Sequence, residues 1–402
     1  MSATQPSALK PPSPSLLIVV AICLALASAA AFYIVAHTHM ENQDFFSFWA
    51  AGKLVLAGLD PYSEMDWLRA HQLAGSTWLE NPTFVYPLPV ALLFVPLALL
   101  PLPSAATVWL VISQMLILGA VVLTTAALDW RRARRFLPFL ILGVCFFRPT
   151  IVTIANGQLS SLPLFATAAA SYFWARGRWF WAGALIALIA LKPTSAIVFL
   201  PAVCIWLLWH RQFRGLAGVG VTLFLLWSTT ALVRPDWLFD WIAIGQSKVT
   251  YTWSYTFPPT AWGWLSMLTR LGRGWTLYAA GVAAGAMLLA LWITSRKPGE
   301  EQWLMIVGVV LPTALFATPY LWNYDYVMLL APIVAATALL DKADAPFASV
   351  ALTPLLTGLV AVALLLLAQS LGHDAWGWLL PITVAFLFRT AFVIAAPRRM
   401  LS

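Results

Sequence analysis

Charged residues are unusually few in this 402-residue sequence. Asp, Glu, Lys and Arg make up only 9% of it, against roughly 25% in a typical soluble domain. The length would allow two or three soluble domains, but so few charged residues could not form their water-exposed surfaces. With 61% apolar residues, the composition excludes an ordinary soluble protein. It predicts an all-α polytopic membrane protein, because a backbone in lipid must satisfy its own hydrogen bonds.

Cysteine and internal repetition are also scarce. The cysteines Cys23, Cys145 and Cys204 lie inside apolar segments without paired spacing, so they imply neither a disulfide nor a metal site. No repeat of fixed period is visible, and the inverted halves typical of many transporters are not evident. The net charge of +8 does not indicate a nucleic-acid partner, because the basic residues fall in short clusters between apolar segments, as the positive-inside rule predicts.

What the sequence has in abundance is long apolar runs. Including the weaker segments, we expect about 12 crossings, within a range of roughly 10 to 14. Two further segments, 84–100 and 259–271, are interrupted by Pro or Trp, and the count balances only if neither crosses fully. The runs that are each long enough to cross a bilayer by themselves are 15–36, 104–128, 274–294 and 347–370.

The basic clusters set the predicted orientation. "RRARR" (131–135) and the other clusters favour the cytoplasm. This places every polar, non-basic motif on the external side of the cell membrane. The predicted segments are a disordered cytoplasmic N-terminus (1–14), one membrane domain (15–396) with external loops at 37–83 and 234–258, and a cytoplasmic tail (397–402).

The first external loop predicts two short amphipathic helices. In "NQDFFSFWAAGKLVLAGLDPYS" (42–63), an amphipathic stretch begins near Asp44 and ends at Gly58. Ser63 with Asp66 three residues later predicts a capped second helix that reaches about Gly75. Two interpretations of Asp44 are open: a carboxylate that caps the first helix, or a functional group held at the membrane surface.

Ionisable residues at membrane depth are functional candidates, since each costs roughly 2.5–3.5 kcal/mol on insertion scales. Lys192 follows a fully apolar run and is either a lysine that extends to the interface or a phosphate-binding cation. Arg148, one helix earlier, is a second candidate for that role. Asn156 and Gln158, in "NGQLSS" (156–161), either belong to an ordinary interhelical turn or reach the same external rim.

Asp325, in "YLWNYDYVMLLAP", opens a predicted helix and is either a carboxylate favoured by the helix dipole or a substrate contact. The flanking Trp322 and Tyr324 are interfacial anchors or a sugar-binding platform. No motif requires a cofactor. His37 and His39 in the acidic first loop lack a third ligand, so the sequence neither requires nor excludes a divalent metal.

These residue types together fit the transfer of a group from a lipid-linked phosphate. A departing phosphate needs cations and no general acid. An incoming hydroxyl needs a base within hydrogen-bond reach. A carboxylate, one or two deep cations and amide side chains all fall on the same predicted side.

Five stretches, in this order, resemble glycosyltransferase family 87 of the GT-C superfamily. They are "DFFSFWAAGKLVLAGLDPYS", "FVYPLPVALLFVPLALLP" (84–101), "NGQLSSLPLF" (156–165), "ALKPTSAIVFLP" (190–201) and "TPYLWNYDYVMLLAP" (318–332).

The resemblance implies a GT-C-like helical fold, a polyprenyl-phosphate-sugar donor, and inverting transfer to an envelope glycolipid or glycan on the periplasmic or outer face. It gives mannose as the leading sugar. It also implies Asp44 as the base, Lys192 as the lysine of an "LKP" motif, and Tyr86 among the substrate contacts. Some relatives carry a His near 323–325, which this chain lacks, so the role of Asp325 is open.

Two other functions are compatible with the same residues. A transporter or flippase of lipid-linked sugars would use buried charges as a substrate or proton path. A non-catalytic assembly protein would need neither Asp44 nor Lys192 for activity.

Overall fold

The computed structural model describes residues 14–76, 83–255, 257–269, 275–295 and 302–399, and these residues form helices and turns without a β-strand. The helices are α1 Pro14–His37, α2 Asp44–Leu56, α3 Glu64–Ala74, α4 Leu88–Ala98, α5 Leu102–Ala127, α6 Ala133–Phe146, α7 Arg148–Ala155, α8 Ser161–Trp174, α9 Trp179–Ile186, α10 Pro193–Trp209, α11 Phe213–Ala231, α12 Trp237–Tyr255, α13 Ala261–Thr269, α14 Trp275–Ser295, α15 Gln302–Met305, α16 Leu311–Ala317, α17 Leu330–Lys342, α18 Phe347–Leu371 and α19 Leu379–Arg399.

Several breaks between these helices are single tight turns. Short 3₁₀ helices span Met40–Asn42, Ala187–Leu191, Asn323–Leu329 and Ala375–Trp378, and a π-helical turn, Ile306–Val310, joins α15 to α16. Proline stands in the first turn of α4, α5, α7, α10 and α16. There its missing N–H costs nothing, and its fixed φ favours the start of a helix.

The apolar helices identify a multi-pass membrane protein. In the part of the chain that the structure describes, five helices are long and apolar enough to cross a bilayer, and six if the bent pair α6 and α7 forms one span. The predicted number of about 12 crossings is not confirmed. Several apolar helices are shorter than about 20 residues, the length that a crossing needs; examples are Trp179–Leu191 and Pro193–Trp209.

The two segments that complicate the predicted number of membrane crossings each contain a short helix. Within 84–100, α4 has 11 residues, and within 259–271, α13 has nine. At 1.5 Å per residue these reach about 16 Å and 14 Å, so neither crosses a bilayer alone. The predicted loop 234–258 is largely helical, since α12 occupies most of it. Most of the predicted N-terminal segment, residues 1–13, and the last residues, 400–402, lie outside the described residues.

The predicted helices of the first loop are confirmed. The Ser63 side chain accepts a hydrogen bond from the Asp66 N–H at 3.3 Å, and α3 ends at Gly75 in the left-handed conformation. α2 packs on α4 around an aromatic core that includes Phe45, Phe48 and Phe94. The first-loop helices therefore share an apolar core with α4 and the start of α5.

A second and larger core lies at the centre of the bundle. The helical segments Gln302–Ala317 and Asn323–Lys342 are apolar and buried along almost their whole length. α17 packs against α5, α18 and α19. A helix that is apolar on all faces belongs inside a bundle, so this segment and the turn before it have a fixed position.

The bundle has two chemically different ends. Near the start of α5, Trp109 Nε1 donates to the Gly157 carbonyl oxygen at 2.8 Å. Just beyond the end of α5, Trp130 Nε1 donates to Asp341 Oδ2 at 2.8 Å, and Arg132 Nε lies 3.0 Å from the same oxygen. A helix of this length separates the two ends by about 30 Å, close to the thickness of a bilayer core. The "NGQLSS" turn and the basic cluster are therefore at opposite ends.

Candidate functional site

Lys192 lies at a break between two apolar helices. The 3₁₀ turn Ala187–Leu191 ends before it, and α10 begins with Pro193 after it. The side chain is 1% exposed. Its ammonium nitrogen lies 2.6 Å from Asp325 Oδ1, and donates to Gln158 Oε1 at 2.8 Å and to Ser160 Oγ at 2.5 Å. Three acceptors thus match the three ammonium protons.

Asp325 is equally enclosed. Besides Lys192, its Oδ1 accepts the Ser160 hydroxyl at 2.9 Å. Its Oδ2 accepts the Trp322 backbone N–H at 3.1 Å and the Thr194 hydroxyl at 3.4 Å. The residue is fully buried. Asp325 is thus a buried carboxylate with a donor at each oxygen and an ammonium partner.

Gln158 links this ion pair to the first loop. It is fully buried, and its Oε1 accepts both the Lys192 ammonium and the Leu159 N–H, the latter at 3.2 Å. Its amide nitrogen donates to the Tyr86 hydroxyl at 3.5 Å, and its side chain lies close enough to Asp44 to lower the pKa of that carboxyl group. One amide therefore separates the ammonium of Lys192 from the carboxylate of Asp44.

Asp44 is the first residue of α2 and does not cap it. Gln43 holds the N-cap position, and no side chain accepts a hydrogen bond from the first turn. The start of α2 is instead tied to the "NGQLSS" turn, because the Phe45 N–H donates to the Asn156 carbonyl oxygen at 3.0 Å. Asn156 Nδ2 lies 3.5 Å from Asp44 Oδ2, a weak hydrogen bond.

The surroundings of Asp44 favour a carboxylate that holds a proton more tightly than usual. Loss of solvent raises its pKa, which the hydrogen bond from Gln158, the charge of Lys192 and the contact with Asn156 oppose. The charge of Asp325 adds to the rise. Unlike the fully buried Asp325, Asp44 is partly buried, and it has no ion-pair partner within salt-bridge distance among the described residues.

A cavity of about 830 Å³ opens against this cluster. Of the predicted substrate contacts, Tyr86, Trp322, Tyr324 and Asp325 line it, whereas Asn156 and Gln158 do not. Lys192 borders the cavity, with its ammonium nitrogen 4.5 Å from the centre of the Tyr324 ring. Asp44 is joined to the cavity through Gln158 and Tyr86. The full lining is Val85, Tyr86, Lys192, Pro193, Thr194, Ile197, Trp241, Ile242, Gly245, Gln246, Trp262, Pro319, Tyr320, Trp322, Tyr324 and Asp325.

Arg148 does not join this cluster. It begins α7 after a bend of 59° from α6, and it lines a small separate pocket with Asn323 and Asp374. The carboxylate of Asp374 lies close enough to its guanidinium to attract it. The structure therefore does not bring Arg148 beside Lys192 as the sequence predicts.

Sequence reasoning missed several residues of the site. Ser160 belongs to the same turn as Gln158 and has no distinguishing signal in the sequence, yet it bonds to both members of the buried ion pair. Thr194, two residues after Lys192, was not singled out. Its position two residues after a candidate lysine is the signal by which the sequence could identify it as part of the site. Trp241 and Trp262 belong to α12 and α13, and their sequence context gives no sign of a common cavity.

No group of three or more His, Cys, Asp or Glu side chains is arranged to hold a metal ion within the described ranges. His39 Nδ1 lies 3.0 Å from Glu41 Oε1, and His37 Nδ1 contacts the carbonyl oxygen of Tyr33. Among the described residues, no hydrogen bond or ion pair joins either histidine to Lys192 or Asp44.

Comparison with known families gives one clear finding. The family model for glycosyltransferase family 87 matches residues 84–319, more than half of the chain. The match contains Tyr86, Gln158 and Lys192, whereas Asp44 precedes it and Asp325 follows it. No curated protein and no solved structure matches the chain.

Proposed function

The chain belongs to glycosyltransferase family 87, and from this premise we propose that it transfers a hexose from a polyprenyl-phosphate sugar to an acceptor of the cell envelope. Mannose is the leading candidate for the hexose, and a glycolipid or glycan is the acceptor. The transfer inverts the anomeric carbon. The protein is a membrane glycosyltransferase; the donor, the sugar, the acceptor and the stereochemistry are the proposal.

The observation that carries the proposal is the character of the cavity. Its lining contains large apolar side chains, among them Ile197, Trp241 and Trp262, which suit a prenyl chain. It also contains Lys192, Tyr86 and Tyr324, which suit a phosphate and a sugar ring. A ligand with a lipid tail and a polar head fits a lining of both kinds. Asp44 adjoins this lining through Gln158.

The proposed reaction is a single displacement. The acceptor hydroxyl oxygen attacks the anomeric carbon while its proton passes to the Asp44 carboxylate. The new carbon–oxygen bond forms as the bond from the anomeric carbon to the phosphate oxygen breaks. Polyprenyl phosphate leaves with that electron pair, and Asp44 later returns its proton to solvent. Because the leaving group is already a stable anion, no general acid is needed.

Asp44 is a better candidate base than Asp325. Every oxygen of Asp325 already accepts a hydrogen bond, and Oδ1 is also paired with the Lys192 ammonium group. Asp44 is only partly buried, and the polar side chains beside its carboxylate, Asn156 and Gln158, are neutral amides. A general base is most effective when its pKa is near the working pH, so the raised pKa of Asp44 also favours it as the base.

Lys192 and the first turn of α10 are the proposed site for the donor phosphate. Lys192, Pro193 and Thr194 all line the cavity, so the N-terminal end of α10 faces it. The positive end of a helix dipole adds to the charge of an ammonium group in attracting a phosphate. We further propose that this end faces the outside of the cell membrane, which the position of the basic cluster at the other end supports.

The test is donor consumption by the purified protein. Incubated with a panel of polyprenyl-phosphate sugars and envelope acceptors, the unmodified protein is expected to consume one donor. Asp44→Asn is expected to reduce the rate by a factor of at least about 10³, since the amide cannot accept the proton, with donor binding retained. Glu64→Gln is the matched control, because Glu64 is an exposed carboxylate of the same loop, and its rate should not change.

Turnover by Asp44→Asn within a few-fold of the unmodified rate would remove Asp44 as the base. If no donor of the panel is consumed, and the protein in vesicles instead moves a lipid-linked sugar between leaflets, the transport function replaces the proposed one.

A further inference from the structure

The contacts of Lys192 raise a question for the proposed phosphate site. A lysine ammonium has three protons and no acceptor, and all three are used by Asp325, Gln158 and Ser160. The pair of Lys192 and Asp325 is also electrically neutral. A phosphate that enters the cavity therefore meets neither a free proton nor a net positive charge at this residue.

Asp325 has hydrogen-bond donors other than Lys192 at both of its oxygens. If the ammonium moved away, Oδ1 would keep the Ser160 hydroxyl, and Oδ2 would keep the Trp322 N–H and the Thr194 hydroxyl. The Lys192 contact can therefore be exchanged without leaving either oxygen of Asp325 without a donor.

We propose that Asp325 is a resident counter-ion, which holds Lys192 while the cavity is empty and which the donor phosphate replaces on the ammonium group. This inference rests on the proposed function and gives Asp325 a role in place of substrate contact. Lys192 keeps Gln158 and Ser160 as partners and exchanges only one contact, so a small displacement of the ammonium group is sufficient.

The exchange has a consequence for turnover. Binding of phosphate must compete with a charged hydrogen bond at 2.6 Å in a buried position, so part of the attraction is offset. The same competition helps the polyprenyl phosphate product to leave, because the ion pair re-forms as the product dissociates. Asp325 therefore weakens the binding of donor and product alike, and accelerates product release.

The test compares two ligands on two proteins. Farnesyl phosphate serves as the anionic probe and farnesol as its uncharged match. Asp325→Asn removes the competing charge and keeps the side-chain shape. We expect its Kd for farnesyl phosphate to fall at least tenfold relative to the unmodified protein, with the Kd for farnesol unchanged. An unchanged or higher Kd for farnesyl phosphate would overturn the proposal.

A double variant controls for the loss of a buried partner. Asp325→Asn leaves Lys192 with an uncompensated charge, which is destabilising, whereas removal of both charges is often tolerated. The double variant Lys192→Met with Asp325→Leu should fold and lose the preference for farnesyl phosphate over farnesol. If it binds farnesyl phosphate as tightly as Asp325→Asn does, the tighter binding does not come from Lys192, and the proposal fails.

A measurement on the unmodified protein is independent of how the variants fold. Protein labelled with ¹⁵N at lysine Nζ and ¹³C at aspartate Cγ should show the close Lys192–Asp325 contact by solid-state NMR. Saturation with farnesyl phosphate is expected to weaken that contact and to produce a coupling from Nζ to ³¹P. Persistence of the lysine–aspartate contact at full strength, without the phosphorus coupling, would contradict the exchange.

The outcome is separable from the fate of the proposed function. Absence of donor consumption defeats the transferase proposal whatever farnesyl phosphate does. Normal consumption together with an unaltered affinity of Asp325→Asn defeats only the counter-ion proposal.

Discussion

The orientation of one amide, that of Gln158, follows from elementary chemistry. Oxygen and nitrogen of an amide are hard to distinguish by shape, but the Lys192 ammonium group can only donate. The atom 2.8 Å from it must therefore be Oε1, and the amide nitrogen must face Tyr86 and Asp44. Lys192 thus sets the orientation of the amide that faces the proposed base, although Lys192 itself does not contact Asp44.

This arrangement predicts the effect of Gln158→Met on pH dependence. Asp44 acts as a base only when it is unprotonated, so the rate falls as pH drops through its pKa. The other groups that face Asp44 are Lys192 and Asn156, which lower that pKa, and Asp325, which raises it. Loss of the amide donor should raise the pKa further, so the acidic limb of log(kcat/KM) should move to higher pH.

The control for this variant is Gln72→Met, since Gln72 lies exposed on α3. Its acidic limb should coincide with that of the unmodified protein. If Gln158→Met lowers the rate equally at every pH, Gln158 has a structural role only and does not tune Asp44.

The sequence singles out candidate side chains but not the residues that they contact. Asp44 and Lys192 are recognisable because an ionisable residue near lipid is costly. The contact of Lys192 with Asp325 joins positions far apart in the chain, and no local pattern encodes it. Arg148 was grouped with Lys192 because each ends an apolar run, and the direction that its side chain takes after the bend at Phe147 was not predictable from spacing.

Among the helices, the junction of α2 with the "NGQLSS" turn decides where Asp44 lies. The Phe45 N–H bonds to Asn156, and the turn continues through Gly157 at a φ of +62°. A Cβ at Gly157 would lie 2.6 Å from the Cβ of Phe45. The close approach of the two backbones therefore requires glycine here.

We expect Gly157→Ala to damage both stability and activity. The left-handed conformation costs an alanine about 1–2 kcal/mol, and the clash with Phe45 adds about 1–3 kcal/mol as overpacking. Relief of the clash moves the start of α2 and with it Asp44, so kcat should fall more than donor affinity. Thermal unfolding in detergent and the kinetics of donor consumption measure the two effects.

Gly58→Ala is the matched control. Gly58 has a φ of +67°, but a Cβ there meets nothing within 4 Å. It should show the backbone cost alone and normal kinetics. Equal losses of stability in the two variants would mean that the contact with Phe45 is easily relieved.

The ends of the first-loop helices were predictable and the course of several later helices was not. Ser63, Asp66 and Gly75 are local signals that act within one turn, and the structure confirms all three. The 59° bend between α6 and α7 and the short 3₁₀ and π turns depend on packing between distant helices. Such packing overrides the local pattern.

For the molecule as a whole, composition predicts the class and leaves the number of crossings open. Scarce charge and long apolar runs lead directly to a helical membrane protein. Apolar segments of 11 to 17 residues, such as Leu88–Ala98 and Pro193–Trp209, are equally compatible with crossing and with burial inside a bundle. The number of crossings depends on which face of the membrane each end of these helices reaches, and hydropathy alone does not determine that face.

The separation of the two ends makes the proposed sidedness testable. Gln72 is exposed on α3, which packs against α2, whereas Arg134 is exposed in the basic cluster at the other end of the bundle. In a background with Cys23, Cys145 and Cys204 replaced by Ala, a membrane-impermeant maleimide applied to intact cells should label Gln72→Cys and not Arg134→Cys.

Permeabilisation should then make Arg134→Cys reactive, which shows that its thiol is accessible. The physical reason for the difference is that Lys and Arg near the membrane are retained in the cytoplasm during insertion, and about 30 Å of helix then carries the start of α5 to the opposite face. The reverse labelling would place the cluster of Asp44 and Lys192 in the cytoplasm, where the acceptor would have to be a cytoplasmic glycolipid instead of an external one.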